Sequence, residues 1–503
     1  MRRKKNTKGL SFFTIIPGLL FLTLTTLLPH AEGDPPSGSE SKKPNILWIC
    51  SDQQRWNTIH ALGNQFIRTP NLDRLVREGV AFNYAHCTAP VCTPSRASFL
   101  TGMYPSTLHA TKNGAERWPE TAPLVTKLLK DSGYDCGLVG KLHLSTAQMH
   151  TPEKRPLDDG YRFFAYSHSP HQGGEENHYL KWLKDQGIRY GDIPTLSGEQ
   201  QVALDQTTWA ANEAIRFIDQ EHNGPWLMSL NMYAPHGPNN PPDPYLDRFD
   251  IESLPGPVFR DSDLKQKSVF NDVTFQSTPR HPDSIDARVR QARYWAEIEL
   301  IDANIGRLLD HLDPSGQLDN ALIIFTCGHG EMLGDHGLIN KGCRFYEGLV
   351  RVPLIFWWPG HIKKGLQSNA LVELIDIAPT LLEITGEPVP ARMQGKSLLP
   401  ILEGRADPDE FRPYVRSEFY ETLKSGPRDR VSNATMIRTR NHKLVNYHGH
   451  EKGELFDLRK DPEEFENLWD DPASQQVKLE LMRMSFDATV SALDTGPARI
   501  GRY

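Results

Sequence analysis

Short, nearly uninterrupted apolar runs alternate along this chain with longer segments whose apolar residues recur at helical spacing. A strand covered on both faces needs apolar side chains on both, so it reads as a continuous run; a helix lying on a sheet needs only one apolar stripe. Asn45-Ile46-Leu47-Trp48-Ile49-Cys50 is the first such run, and Thr69 to Gly79 is the first helix, with Thr69 as its cap, Pro70 at its first position and Gly79 at its end. The spacing predicts a helix from about Thr121 to Gly133, a strand from Tyr134 to Val139, a helix over about 205–221 and a strand from Trp226 to Tyr233. It then predicts a long helix over 286–312 and strands at Ala321–Thr326 and Pro353–Trp358. Repeated β-then-α units imply an α/β fold, an open, largely parallel sheet with helices on both faces. Residues 240–285 are rich in Pro and Asp with weak periodicity and read as surface excursions. Beyond about residue 400 short β-like runs (Thr435–Arg438, Lys443–Tyr447) and a last helix near 475–492 suggest a smaller α+β C-terminal domain.

The first thirty residues break this pattern. Arg2, Arg3, Lys4, Lys5 and Lys8 precede an apolar stretch from Leu10 to Leu28. That is the layout of an export signal over 1–31, followed by a polar linker over 32–43, with an uncleaved N-terminal anchor as the alternative. The domain reading is therefore signal, linker, a catalytic domain over 44–400 and the C-terminal domain over 401–503. Export makes the expected location secreted or periplasmic, with no stable membrane insertion once the signal is removed. Removing the five signal cations leaves 51 basic against 63 acidic residues, net −12, so a general nucleic-acid binder is excluded and any anion site must be a local basic cluster. Mean hydropathy of −0.51 excludes a polytopic membrane protein. Six Cys in 503 residues are too sparse for a disulfide scaffold, and Cys50, Cys87, Cys136 and Cys343 read as buried structural thiols.

In open α/β sheets, sites form at the carboxyl ends of strands. Here those ends deliver Asp52 after the first strand, Lys141 and His143 after Val139, His236 after Tyr233, and His329 with Glu331 after Thr326. Any one alone reads as an ordinary surface residue; the recurrence at four strand ends does not. Cys92-Thr93-Pro94-Ser95-Arg96 adds a thiol placed just before an expected helix N-terminus, with Pro94 in its first turn and Gly102 as its stop. Such a position stabilises negative charge, and Arg96 adds a cation one turn on.

The segment Cys92–Arg96 matches the Cys-x-Pro-Ser-Arg motif of the type I, formylglycine-dependent sulfatases. The resemblance continues through Thr69–Asp73, Gly140-Lys141-Leu142-His143, Ala234-Pro235-His236, Gly330–Gly337 with Lys341, Arg351–Ile355 and Glu454–Leu458, in the family's order over roughly 44 to 470. It implies an alkaline-phosphatase-like fold and a sulfuric ester hydrolase. Cys92 would be oxidised to formylglycine by a formylglycine-generating maturation enzyme. The hydrated aldehyde would attack the sulfur of a sulfate monoester, of a carbohydrate or an aryl or alkyl alcohol, and later expel sulfate by re-forming the carbonyl. Asp52, residue 92 and His329 would hold one divalent cation, Ca²⁺, which prefers oxygen ligands. Arg96 would hold the diol and the metal-side carboxylates. Lys141 and Lys341 would bind sulfate oxygens, His143 would take the diol proton, and His236 would protonate the leaving oxygen.

Two positions depart from the family. Gln53 stands where paired acids are usual, a form also found in choline-sulfatase-like branches. Gly328-His329-Gly330 replaces the usual Asp-His-Gly, so position 328 offers no carboxylate. Glu331, Asp335 or water is expected to fill the gap. The alternatives to a sulfatase are a phosphonate or phosphate ester hydrolase of the same fold, and a weakly active or silent protein that binds sulfated ligands. Substrate contacts are expected from loops 150–200 and 240–285, with Tyr179, Trp182, His168 and His171 as candidates.

Overall fold

The computed structural model describes residues 43–147, 152–172, 174–423, 432–493 and 501. The expected signal over 1–31, and the linker apart from Lys43, lie outside the described residues. The main sheet is built from β1 (Asn45–Ser51), β2 (Val80–His86), β3 (Asp135–Gly140), β4 (Tyr161–Tyr166), β5 (Trp226–Asn231), β6 (Ala321–Cys327), β7 (Arg351–Val352), β8 (Leu354–Trp357) and β9 (Leu366–Glu373). Its order is β4-β3-β5-β1-β6-β8-β2-β7, with β9 beside β2. Neighbours from β4 to β6 are parallel, as is β2–β9.

The strand expected at 353–358 forms, but it runs antiparallel to β6 and β2. A parallel return needs a crossover, usually a helix. The chain between β6 and β8 supplies only the short turns Asp335–Gly337 and Glu347–Val350, so it folds straight back.

The alternation within β1 shows why the run is apolar throughout. Leu47 and Ile49 face the core under helices Pro70–Glu78, Gln206–Ile218 and Ala287–Leu312. Ile46 and Trp48 face the opposite core, under Cys92–Thr101, Val125–Asp131 and Ile377–Ile384. Helix bounds shift slightly from expectation. The segment expected from Thr121 becomes helical only at Val125, after Pro123. Thr69 does not cap its helix with its side chain; its hydroxyl instead donates to Asp73 Oδ1 at 3.0 Å and accepts from the His60 amide.

A second sheet, β10 (Tyr414–Tyr420), β11 (Asn433–Thr439), β12 (His442–His448) and β13 (Gly453–Asp457), is antiparallel in sequence order and carries the helix Gln475–Ser491 on Ile437, Leu444 and Leu455. It is tied to the first part of the chain by the Lys443–Glu347 ion pair at 2.7 Å and by the Glu418 amide donating to the Thr88 carbonyl. Residues from Lys43 onward form one compact unit. No helix among the described residues is long and apolar enough to cross a membrane.

Candidate active site

The carboxyl ends of β1, β3, β5 and β6 deliver their side chains to one place, and the helix Cys92–Thr101 points its first residue into it. Cys92 is the first helical residue rather than one outside the helix, with the extended Val91 before it. All ten residues of that helix are buried, which is why it shows no amphipathic stripe.

After β1 the chain turns through Gln53, whose φ of 66° is held by the Tyr294 hydroxyl donating to its carbonyl at 2.6 Å. At the last residue of β3, Gly140 adopts φ 94°, and a Cβ there would fall 2.0 Å from the Asn231 carbonyl oxygen. Only glycine lets the Lys141 amide reach that oxygen, at 3.0 Å, and so aims Lys141 inward.

Asp52 is fully buried; its Oδ2 accepts from Lys141 Nζ at 2.5 Å, and its Oδ1 lies 3.6 Å from an Arg96 guanidinium nitrogen and 4.0 Å from His329 Nε2. Burial pushes this carboxyl up, but Lys141 and Arg96 hold it well below the usual carboxylate range. Cys92 Sγ lies 2.9 Å from Lys341 Nζ, 3.1 Å from His329 Nε2 and 3.9 Å from Lys141 Nζ. Burial raises this thiol too, yet the two lysines and His329 bring it well below its ordinary value. The other thiols behave oppositely, with burial pushing Cys50 to about 11 and Cys136 and Cys343 to about 12.

Lys341 Nζ also donates to Gln53 Oε1 and to His236 Nε2, both at 2.6 Å. His236 Nδ1 lies 2.8 Å from the Gly237 carbonyl, so Nδ1 carries the proton and Nε2 accepts. His329 has the same tautomer, its Nδ1 donating to the Gly330 carbonyl at 2.8 Å. Burial and Lys141 lower His143 to about 4, and burial and Lys341 lower His236 to about 4.

Thus Asp52, Cys92, Arg96, Lys141, His143, His236, His329 and Lys341 converge. Glu331 and Asp335 do not fill the gap left at 328. Glu331 accepts from the Gln53 side-chain amide and from the backbone of Leu333 and Asn340; Asp335 pairs with Arg55 at 2.6 Å. Of the expected substrate contacts, Tyr179 is core, its hydroxyl donating to the Leu204 carbonyl, and Trp182 stacks on it. His168 packs edge-on against His143 at 4.4 Å, and His171 lies against Tyr233.

One participant is absent from the sequence reading. Glu153, buried, accepts from three successive backbone amides, those of His143 (2.7 Å), Leu144 (2.5 Å) and Ser145 (3.4 Å). It holds the turn in which His143 sits at φ 58°. Burial raises this carboxyl to about 7. No local motif announces it, since an acid ten residues away reads as a loop residue.

Three of these side chains fit a divalent cation. Asp52 Oδ1 is buried without a hydrogen-bond partner, His329 Nε2 presents a lone pair, and both lie with Cys92 Sγ within 4.8 Å of one another. Such a converging acceptor set suits a divalent ion.

A buried thiol at a helix start, flanked by lysines and histidines beside an acceptor cluster, is an arrangement suited to an ester hydrolase acting on a tetrahedral oxyanion. The sulfatase family model matches residues 44–387, and a model described as N-sulphoglucosamine sulphohydrolase, C-terminal, matches 334–489. An arylsulfatase of Clostridium perfringens is 31% identical, covering 85% of this chain and 90% of that protein. A choline-sulfatase of Rhizobium meliloti is 30% identical, with 86% and 83% covered. The solved phosphonate monoester hydrolase of Agrobacterium radiobacter superposes with a TM-score of 0.76 at 26% identity, covering 90% of this chain and 96% of that one. The chain belongs to the sulfatase family of the alkaline-phosphatase-like superfamily and is a sulfuric ester hydrolase.

Proposed function

We propose that this protein is an exported sulfatase that hydrolyses sulfate monoesters, carbohydrate sulfates among them, with residue 92 matured to formylglycine by a dedicated maturation enzyme. The observation that carries it is the position of Cys92 Sγ at the start of a buried helix, with Lys341, His329 and Lys141 around it. The hydrated aldehyde supplies a diol whose second hydroxyl allows sulfate to leave, which a serine would not.

Asp52, residue 92 and His329 would hold one divalent cation, Ca²⁺ in this reading; when bound, it supplies charge that activates the nucleophile and polarises the sulfate. Lys141 and Lys341 face the oxyanion. Arg96 keeps Asp52 ionised and hydrogen-bonds the Lys141 carbonyl at 2.9 Å, fixing that lysine's backbone. His143, neutral at physiological pH, is a base beside residue 92. His236 Nε2 accepts a hydrogen bond from the Lys341 ammonium in this arrangement, so the pair, rather than His236 alone, would deliver a proton to the leaving oxygen.

The similarity to a phosphonate monoester hydrolase supports a second reading, because Lys141 and Lys341 recognise tetrahedral oxygens rather than the atom they surround. The test is to co-express the chain with a formylglycine-generating enzyme, measure the mass of the peptide containing residue 92, and compare hydrolysis of 4-nitrophenyl sulfate with that of 4-nitrophenyl phenylphosphonate. Formylglycine with faster sulfate release is expected, and Cys92→Ala should abolish it. A fully active protein with an intact thiol overturns the nucleophile; faster phosphonate cleavage overturns the substrate class.

A further inference from the structure

Beside the reactive centre lies a cavity of about 500 Å³, and its lining bears on which sulfate esters fit. Gln53 and His236, both hydrogen-bonded to Lys341, belong to its wall, so it opens directly from the group facing the leaving oxygen. Its volume is within the usual range for a small-molecule site. The opposite wall is the first turns of the helix Ala287–Leu312, which presents Arg290 and Arg293, one turn apart on one face.

Other arginines lining clefts are paired with carboxylates, Arg55 with Asp335, Arg155 with Asp159 and Arg162 with Asp135. Arg290 donates through Nε to the Ile285 carbonyl at 2.7 Å, and Arg293 makes only a 3.4 Å contact to the Asn239 carbonyl. Among the described residues neither has a carboxylate within ion-pair distance. The acids that share the wall make no ion pair with them, although Arg293 lies within electrostatic range of the buried Glu297. Asp286 makes no ion pair among the described residues, and Glu331 is occupied by Gln53 and two backbone amides. Glu297, behind the wall, is held by the Asn239 side chain and the Asn240 amide. A guanidinium with free donors facing a cavity is suited to a planar or tetrahedral anion, and two at helical spacing make a fork for one.

We propose that Arg290 and Arg293 form a second anion subsite, so that the preferred substrate is a sulfate ester whose alcohol portion carries another anionic group, a carboxylate or a second sulfate. This rests on the sulfatase reading and adds the chemical class of the leaving group. A neutral alcohol fills the cavity without using the fork, and a quaternary ammonium alcohol such as choline is repelled by it.

The test compares 4-nitrophenyl sulfate, 3-carboxy-4-nitrophenyl sulfate and choline O-sulfate with the native enzyme and an Arg290→Gln/Arg293→Gln double variant. The expected result is a KM for the carboxylated ester about tenfold lower than for 4-nitrophenyl sulfate, a preference erased in the double variant with kcat and the 4-nitrophenyl sulfate KM unchanged. Choline O-sulfate should be the poorest of the three for the native enzyme and should improve in the variant. Raising the salt concentration should weaken the carboxylate preference. Equal KM values for the two aryl esters, or a variant that loses both alike, overturn the subsite. If no ester is hydrolysed, the sulfatase reading fails instead. Calorimetric binding of the two aryl esters to both proteins then still decides whether the arginines read a second anion, and equal binding refutes it.

Discussion

Lys341 Nζ sits 2.6 Å from His236 Nε2, while the other nitrogen of that ring is committed to the Gly237 carbonyl. The proton in this contact therefore belongs to an ammonium facing an imidazole lone pair, and it lies beside the cavity whose wall includes His236 and Gln53. Lys341→Met removes both the charge and the proton. Turnover of 4-nitrophenyl sulfate should fall about 100-fold through lost oxyanion stabilisation. Esters of ordinary alcohols should fall further, because nitrophenolate leaves without protonation and an alkoxide does not. An equal loss on both classes of ester would show that the pair does not deliver a proton.

Glu153 acts on the chemistry only through the turn that carries His143. Glu153→Gln replaces an acceptor of three amides by a group with one acceptor and two donors. The prediction is a kcat lowered by about one to two orders of magnitude with KM little changed, since small misplacement of a base is costly. Steady-state kinetics beside a denaturant midpoint checks it. A KM effect with kcat intact would assign Glu153 to substrate binding.

Gly328 leaves room for the carboxylate that the resembled sulfatase motif would place there. A Cβ there would meet only Ser95 Oγ, at 3.9 Å, and its φ is not in the left-handed region. Gly328→Asp should raise divalent-cation affinity about tenfold or more, as an added charged ligand does, with a parallel rise in sulfate release. Calcium titration calorimetry measures the first and ion chromatography the second. No change in either would show that position 328 does not face the ion.

His86, at the end of β2, gives a pH dependence that is separate from catalysis. It is fully buried, its Nδ1 lies 3.1 Å from the Tyr84 carbonyl, and burial lowers the ring from 6.5 to about 4. The unfolded chain thus binds the extra proton between these values, so stability is complete above pH 6.5 and is lost as the pH falls toward 4. Urea unfolding of the native protein and His86→Gln should diverge by on the order of 2–3 kcal/mol over that window. Parallel curves would locate the proton uptake elsewhere.

Much of the candidate site is legible in the residues themselves. Asp52, Lys141, His143, His236 and His329 follow apolar runs that had to be strands, and Cys92–Arg96 is a contiguous segment. Such signals survive in one dimension because strand ends and a helix start are local features. The less legible parts depend on side chains meeting across the fold. Tyr179 and Trp182 read as loop residues, yet they lie on the helix His178–Asp185, with Tyr179 in the core and Trp182 half-buried against it. Asp335 looks like a spare ligand and instead pairs with Arg55.

The sequence by itself determined the alternating sheet-and-helix architecture, because continuous apolar runs cannot be satisfied except between two helical layers. It also determined the family and the residues brought to the strand ends. The tertiary structure alone decided that β8 turns back antiparallel, that Glu153 closes on three amides beside His143, and that Lys341 donates a hydrogen bond to His236. It also decided that two arginines of a long helix face the cavity next to them. Each of these depends on where a loop or helix face comes to rest against distant residues, and only the folded packing fixes that.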